Sequence, residues 1–312
     1  MSARTRGAVI VLAILAALAL VAAMVWYVMQ LSESDSGDTG IETLPGHEVI
    51  AVKIDNVAAA RPQTGLGKAE TVYVEPVEGG LTRLLAIYGG ELPEAIGPIR
   101  SARASDIELL AQYGRPTFVY SGAAAPVLTD LAAAPLVRAS PSRTAGFYRN
   151  TEHETPHDLF VDPAALPEPE APPAVAPLQR GTAPAGGTVT AHHTTRYDAA
   201  TFDFDWLARQ GWRVSLDGSP VMTTEGDTIT PRTVVVQQVE VTSTGPPDAL
   251  GNRAPTVSTV GSGTATVLRN GGRFDARWFR PSPEAPTRFR TVDGTPLPMD
   301  LGQVWILLVP DE

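Results

Sequence analysis

Residues 8–29 form an uncharged segment of 22 residues, and Arg4 and Arg6 stand just before it. At about 1.5 Å of rise per residue, a helix of this length is roughly 33 Å long, which matches a hydrocarbon core of about 30 Å. Two aromatic residues near the end of the segment suit the membrane interface. The sequence therefore predicts a short cytoplasmic stub and a transmembrane anchor within residues 1–30.

The charges that flank this segment predict its orientation. No lysine or arginine follows Arg6 until Lys53, whereas acidic residues are frequent after the segment. The positive-inside rule then places the amino terminus in the cytoplasm and the bulk of the chain outside the cell membrane. Two alternatives stay open, a cleaved secretion signal, whose apolar region usually has ~7–15 residues, and a buried helix.

Composition narrows the class of partner. After the anchor the chain carries 22 basic and 34 acidic residues, a net charge of −12. We expect no nucleic-acid partner, because binding to phosphate backbones needs a basic face. The sequence has no cysteine, which excludes disulfides, thiol chemistry and a lipid on an amino-terminal cysteine. No cofactor is predicted.

Two segments of biased composition predict the domain organisation. Residues 31–45 are rich in Ser, Gly and acidic residues, which is typical of a flexible spacer. Seven prolines lie between residues 163 and 187, and repeated proline favours an extended linker. We therefore expect two domains, at residues 46–162 and 188–312.

The first domain mixes strand and helix patterns. Short runs of β-branched and aromatic residues predict strands at 49–54, 71–75, 84–88 and 117–120. A capping box at Ser105 and Glu108 predicts a helix over 107–113, and a second helix is expected at 123–134. Strands interleaved with helices indicate an α+β or mixed α/β fold with an α/β first domain.

The second domain is predicted to be β-rich. Strands are expected at 213–216, 234–241, 265–269, 274–279 and 304–309. Asn270 and Gly271 separate two of them and form a strong hairpin signal. A small barrel or a sandwich would hold such strands.

Two histidine pairs resemble metal ligands, but neither pattern supports a metal site. His153 and His157 occupy an HExxH-like stretch, and Pro156 would break the helix that this zinc motif requires, at a cost of about 3 kcal/mol. Thr155 and Pro156 instead predict the start of a helix after His153. The neighbouring histidines 192–193 would point to opposite faces of a strand. No metal is predicted.

An arginine-rich segment leads into the first predicted helix. Residues 97–105 read GPIRSARAS, and helix amino termini and arginine forks both bind anions. If the preceding strands are parallel, further polar side chains meet at their carboxyl ends, namely those of Asp55, Asn56, Arg61, Glu78 and Arg83. An internal salt-bridge network is the alternative to a ligand site.

Three carboxylates could also perform acid–base chemistry. Asp55 ends the first predicted strand, and Glu75 and Glu78 flank a proline. Such a group works as acid and base only if burial separates the pKa values of its members. Solvated loop carboxylates are the alternative.

Five motifs occur in an order and spacing that resemble a known family. They read DN at 55–56, ARPQTGL at 60–66, AETVY at 69–73, EGGLTR at 78–83 and GPIRSAR at 97–103. With VVVQ at 234–237, GSG at 261–263 and GQVW at 302–305, they resemble the YerB family of bacterial envelope lipoproteins over residues 45–312. The resemblance implies an extracytoplasmic location and a two-domain plan, and no particular reaction.

The chain departs from this family at two points. Family members typically carry a lipid on a cysteine, so in this chain the transmembrane helix is expected to replace the lipid. Where the family tends to show APHNL, residues 155–159 read TPHDL. His157 is kept, and Asp158 replaces the asparagine.

These observations together predict a membrane-anchored envelope protein. It would bind an anionic or polar wall-related ligand, or a protein partner, through an arginine-rich pocket in the first domain. The expected contacts are Asp55, Asn56, Arg61, Glu78, Arg83, Arg100, Ser101, Arg103 and His157. Two alternatives are an envelope hydrolase or transferase that uses a carboxylate with His157, and a β-rich scaffold for another membrane protein.

Overall fold

The computed structural model describes residues 41–42, 44–243 and 254–311. Residues 42–312 belong to one compact unit of the chain, and this unit is described below. The predicted anchor at residues 8–29 lies outside the described residues. Within the described part, no helix combines the length and the hydropathy that crossing a bilayer requires.

Strands dominate the described residues. The first half contains β1 (Ile50–Asp55), β2 (Thr71–Pro76), β3 (Thr82–Tyr88), β4 (Thr117–Val119), β5 (Val137–Ala139), β6 (Phe147–Arg149) and β7 (Leu159–Val161). The second half contains β8 (Thr188–Val189), β9 (His192–Tyr197), β10 (Ala200–Leu207), β11 (Gly211–Leu216), β12 (Ser219–Pro220), β13 (Thr233–Val239), β14 (Val241–Thr242), β15 (Thr256–Val257), β16 (Gly261–Arg269), β17 (Gly272–Arg280), β18 (Arg288–Thr291) and β19 (Val304–Pro310).

The remaining regular elements are short. The α-helices of the described residues are α1 (Ala104–Leu110) and α2 (Ala125–Ala133). Single 3₁₀ turns occur at Ala58–Ala60, Leu66–Lys68, Glu78–Gly80, Ala111–Tyr113 and Pro163–Ala165. Further two-residue strands are Ile41–Glu42 and Arg180–Gly181.

The expected α+β or mixed α/β fold is wrong, because the described part of the chain is mostly β-sheet. The predicted strands overlap observed ones, but the long strands β9 and β10 were not predicted. The sequence interpretation also gave the helices too much weight. β3 pairs antiparallel with both β1 and β2. Only residues 77–81 join β2 to β3, and a parallel crossover needs about a dozen residues or more.

Eleven strands of the described residues form one mixed sheet. Their order is β8-β17-β16-β13-β19-β2-β3-β1-β4-β5, and β18 pairs with β17. The last strand of the chain, β19, runs parallel both to β13 and to β2. Strands from both predicted domains therefore share this sheet, and the second-half strands do not close a barrel of their own. The boundary at residues 163–187 stays a prediction.

Both faces of the central strands of the large sheet are buried, and successive residues of these strands point to opposite faces. The outer strand β17 instead alternates between buried and exposed residues. On β1, Ile50, Val52 and Ile54 belong to one core, whereas Ala51 belongs to the other. The first core is covered by the antiparallel sheet of β9–β12, through Phe202, Phe204 and Trp212. The second core is covered by the helices, through Leu109, Leu110 and Leu131.

Two local predictions in the first half also need correction. The helix expected to start at Thr155 is absent, and a single turn there leads directly into β7, whose buried residues pair with β6. α1 begins at Ala104 instead of after Ser105, because the side chain of Asp106 accepts a hydrogen bond from the backbone N–H of Arg103 at 2.6 Å. Glu108 does not complete the expected capping box.

Candidate functional site

The strand register brings Arg83 between two carboxylates. Arg83 lies opposite Asp55 of β1 and opposite Glu75 of β2. Because β3 runs antiparallel to both neighbours, its first residues meet the last residues of β1 and β2. These strands are not parallel, which was the condition for the predicted grouping of polar side chains. The antiparallel pairing instead joins the ends of β1 and β2 to the start of β3. Alternation directs these side chains to the face that carries the helices.

A cleft of about 360 Å³ opens at these strand ends, and we call it the arginine cleft. Its charged lining residues are Asp55, Glu78, Arg83, Arg100 and Arg103. Within the described part of the chain, the three arginines and two acids that line the cleft have a formal net charge of +1. All five were predicted from the sequence as site residues.

Asp55 anchors one wall of the cleft. Its buried carboxylate oxygen Oδ2 lies 2.7 Å from Nδ1 of His157 and 3.0 Å from Nε of Arg100. Its other oxygen, Oδ1, accepts the backbone N–H of Asn56 at 2.9 Å. Since an ionised carboxylate can only accept, the histidine contact requires a proton on Nδ1. Nε2 of His157 has no hydrogen bond within the described part of the chain.

Asn56 supports the cleft from behind. Its side-chain amide donates to Oγ1 of Thr82 at 2.9 Å, and its Oδ1 accepts from Nε2 of Gln63 at 3.2 Å. Asn56 is buried and does not line the cleft itself. Its contacts tie the end of β1 to the start of β3.

Glu78 and Arg103 form the opposite wall. Nη2 and Nε of Arg103 donate to the same carboxylate oxygen of Glu78, at 2.7 and 3.2 Å. Burial acts to raise the pKa of Glu78, but hydrogen bonds from Arg103 and the charges of Arg103 and Arg83 outweigh it. The pKa of Glu78 is therefore lowered, and the group stays ionised.

Two arginines keep hydrogen-bond donors available to the cleft. Arg83 donates from Nη1 to the carbonyl oxygen of Ser101 at 3.3 Å and makes no other hydrogen bond within the described residues. Burial, together with the charges of Arg103 and Arg100, lowers the pKa of Arg83 to about 10. Arg100 contacts Asp55 only through Nε, in an ion pair that lacks hydrogen-bond geometry. Its two Nη atoms have no partner among the described residues.

Four of the nine predicted site residues do not line the arginine cleft, namely Asn56, Arg61, Ser101 and His157. The side chain of Ser101 approaches Oγ of Ser121 at 3.5 Å and lines a neighbouring cavity. Nη2 of Arg61 lies 3.2 Å from Oδ2 of Asp217, and Arg61 lines a different cavity beside β12. The structure therefore brings five of the nine predicted site residues into the cleft and places His157 against one of them, Asp55.

A buried ionic triad beneath the cleft was missed from the sequence. Nζ of Lys53 lies 2.5 Å from Oε2 of Glu75 and 2.6 Å from Oδ1 of Asp106. All three side chains are at most 1% exposed. A lysine inside the apolar run of β1 was the available signal, because alternation points it into a core.

Burial separates the pKa values of the two glutamates that the sequence analysis considered together. Burial and the charge of Asp106 raise the pKa of Glu75 to about 7, against the opposing effect of Lys53. The pKa of Glu78 moves the other way. Glu75 does not line the arginine cleft, so we assign this buried carboxylate a structural part.

Comparison with known proteins first identifies the domain family to which the chain belongs. Residues 37–172 match the family described as "Protein of unknown function (DUF3048) N-terminal domain", and residues 189–306 match the corresponding C-terminal domain. The chain belongs to this family, and the YerB-like resemblance predicted from its motifs is confirmed.

A relative and a solved structure agree with this assignment. The chain is 44% identical over 68 residues to "Putative lipoprotein YerB" of Bacillus subtilis (strain 168), a match that spans 21% of this chain and 20% of that relative. The crystal structure of the YerB protein from Bacillus subtilis superposes with a TM-score of 0.68 at 22% identity, over 86% of this chain and 92% of that one. This second likeness shows the fold.

Proposed function

We propose that the protein is a cell-envelope protein that binds an anionic group, such as a phosphate or a carboxylate, in the arginine cleft. The observation that carries the proposal is the set of guanidinium donors of Arg83 and Arg100 that have no partner within the described residues. Guanidinium groups match the geometry of oxyanions and form charge-assisted hydrogen bonds with them.

Acidic residues of the cleft hold two of its arginine side chains in place before any ligand binds. Asp55 holds Arg100, and Glu78 holds Arg103, so a ligand would not have to order long side chains when it binds. Holding binding groups in place before association lowers the entropy that binding costs. The excess positive charge of the cleft favours an anion over a cation.

The envelope location rests on the relative. The printed description of the Bacillus subtilis relative is that of a lipoprotein, and lipoproteins are held at membranes by their lipid. We extend that location to this chain as part of the proposal.

The proposal is tested by isothermal titration calorimetry of the full chain with inorganic phosphate. Each charge-assisted hydrogen bond contributes about 1.5–3 kcal/mol, so Arg100→Ala is expected to weaken binding about 10-fold or more. Arg115→Ala is the matched control, because Arg115 is half-exposed, pairs with Glu170 and lies outside the cleft. Equal phosphate affinity in Arg100→Ala and Arg115→Ala would refute the proposal.

A specific contact favours a second candidate, a hydrolase or transferase. Asp55 holds His157 through Nδ1 and leaves Nε2 without a partner among the described residues, which is how a carboxylate orients a histidine base. Turnover of phosphate esters with a bell-shaped pH profile, lost in His157→Gln, would support this candidate. Phosphate binding without turnover would favour a binding protein over an enzyme.

A further inference from the structure

A second cavity adjoins the arginine cleft. Its volume is about 430 Å³, and we call it the alanine cavity because Ala102, Ala104, Ala123 and Ala124 line it. Two residues, Glu78 and Arg103, line both this cavity and the arginine cleft. The two spaces therefore adjoin at the Glu78–Arg103 ion pair.

Small side chains at two helix starts leave this cavity open. Ala104 is the first residue of α1, and Ala124 immediately precedes α2. Alanine offers only a methyl group, so neither helix start fills the space between them. Val127 of α2 adds further apolar lining.

Charge distinguishes the two spaces. Apart from the shared pair, the charged residue that lines the alanine cavity among the described residues is Asp130, an exposed acid of α2. An anion would be repelled there, whereas the arginine cleft supplies donors from Arg83 and Arg100. An uncharged apolar group suits the alanine cavity, and an anionic group suits the cleft.

We infer that a single amphiphilic anion occupies both spaces, with its anionic group in the arginine cleft and a short apolar group in the alanine cavity. This inference rests on the proposed function, since it assigns a second part to the same ligand. Cavities for small ligands typically measure roughly 300–1,000 Å³, and each space lies in that range. The ligands of this class are phosphate or carboxylate compounds that carry a short alkyl or similar apolar substituent.

The test compares methyl phosphate with butyl phosphate, measured by calorimetry on the full chain. Each buried methylene contributes about 0.8 kcal/mol, which is roughly a fourfold change in affinity. Three additional methylenes are therefore expected to tighten binding at least 10-fold. The measured quantity is the ratio of the dissociation constant of methyl phosphate to that of butyl phosphate. Both esters carry the same anionic group, so a change in the binding of that group cancels in the ratio.

Two variants fill the alanine cavity from different helices. Ala124→Leu and Ala104→Leu are each expected to reduce the butyl-to-methyl ratio to nearly one. Ala132→Leu is the matched control, because this exposed alanine of α2 lines neither space, and it is expected to keep the ratio. With variants on separate helices, a folding failure in one does not decide the result.

The outcomes separate this inference from the proposed function. Equal affinity for both esters, with phosphate binding that depends on Arg100, would overturn the inference and leave the proposed function intact. A chain-length gain that persists in both filling variants would also overturn it. Absence of binding by either ester and by inorganic phosphate would overturn both.

Discussion

Replacing Lys53 with methionine removes the only cation of the buried triad and keeps a side chain of similar length. Two contacts disappear, at 2.5 Å to Glu75 and 2.6 Å to Asp106. Hydrogen bonds to charged groups contribute about 1.5–3 kcal/mol each, and removing one partner of a buried ion pair costs about 3–5 kcal/mol. We expect the free energy of unfolding at pH 7 to fall by about 4 kcal/mol.

The assay is urea unfolding followed by tryptophan fluorescence, since Trp212 and Trp305 are buried. The stability difference between wild type and Lys53→Met should narrow at pH 5, because the two carboxylates can then relieve their repulsion by binding a proton. The control is Lys68→Met, which removes the other lysine, an exposed one paired with Glu91, and should change little. A loss below about 1 kcal/mol for Lys53→Met, or an unchanged difference at pH 5, would refute the reasoning.

Three further predictions concern single residues. The pKa of Glu75 in the folded state is raised to about 7 from 4.5, so folding favours the protonated carboxyl group. The stability that this proton contributes is lost as pH rises through about 7. Glu75→Gln should therefore flatten the plot of unfolding free energy against pH between pH 4.5 and 7. Gly80→Ala should lower the melting temperature more than Gly79→Ala, because both have positive φ but only at Gly80 would a Cβ meet a side-chain carbon, at 2.5 Å. His157→Ala should cost about 1–3 kcal/mol in urea unfolding by removing a partner of buried Asp55, and a change near zero would contradict that contact.

The strands that contain long runs of β-branched residues were predictable from the sequence. The predicted strands at 49–54 and 304–309 agree with β1 and β19 to within a residue or two, because Val and Ile favour a buried pleated surface. The fold class was not predictable in the same way, since the short helices α1 and α2 gave patterns that resembled an α/β layer. The tight connection at residues 77–81 is the feature of the sequence that indicates antiparallel pairing.

Much of the candidate site could be assembled from local motifs. Asp55 ends β1, Arg83 lies at the start of β3 and Arg100 precedes α1. The sheet register pairs Asp55 with Arg83, and all three residues line the cleft. Contacts between segments that are far apart in the sequence could not be predicted from local sequence patterns. The triad joins Lys53 to a helix residue 53 positions later, and no periodicity in either segment indicates that pairing.

The central claim, that the arginine cleft holds an anion, is tested most directly by diffraction from crystals soaked in tungstate, an anomalously scattering oxyanion. We expect an anomalous peak within hydrogen-bond distance of Arg83 and Arg100 in the wild-type protein, absent from Arg100→Ala crystals and retained in Arg115→Ala crystals. A cleft without a peak, or a peak there that is unchanged in Arg100→Ala, would contradict the claim.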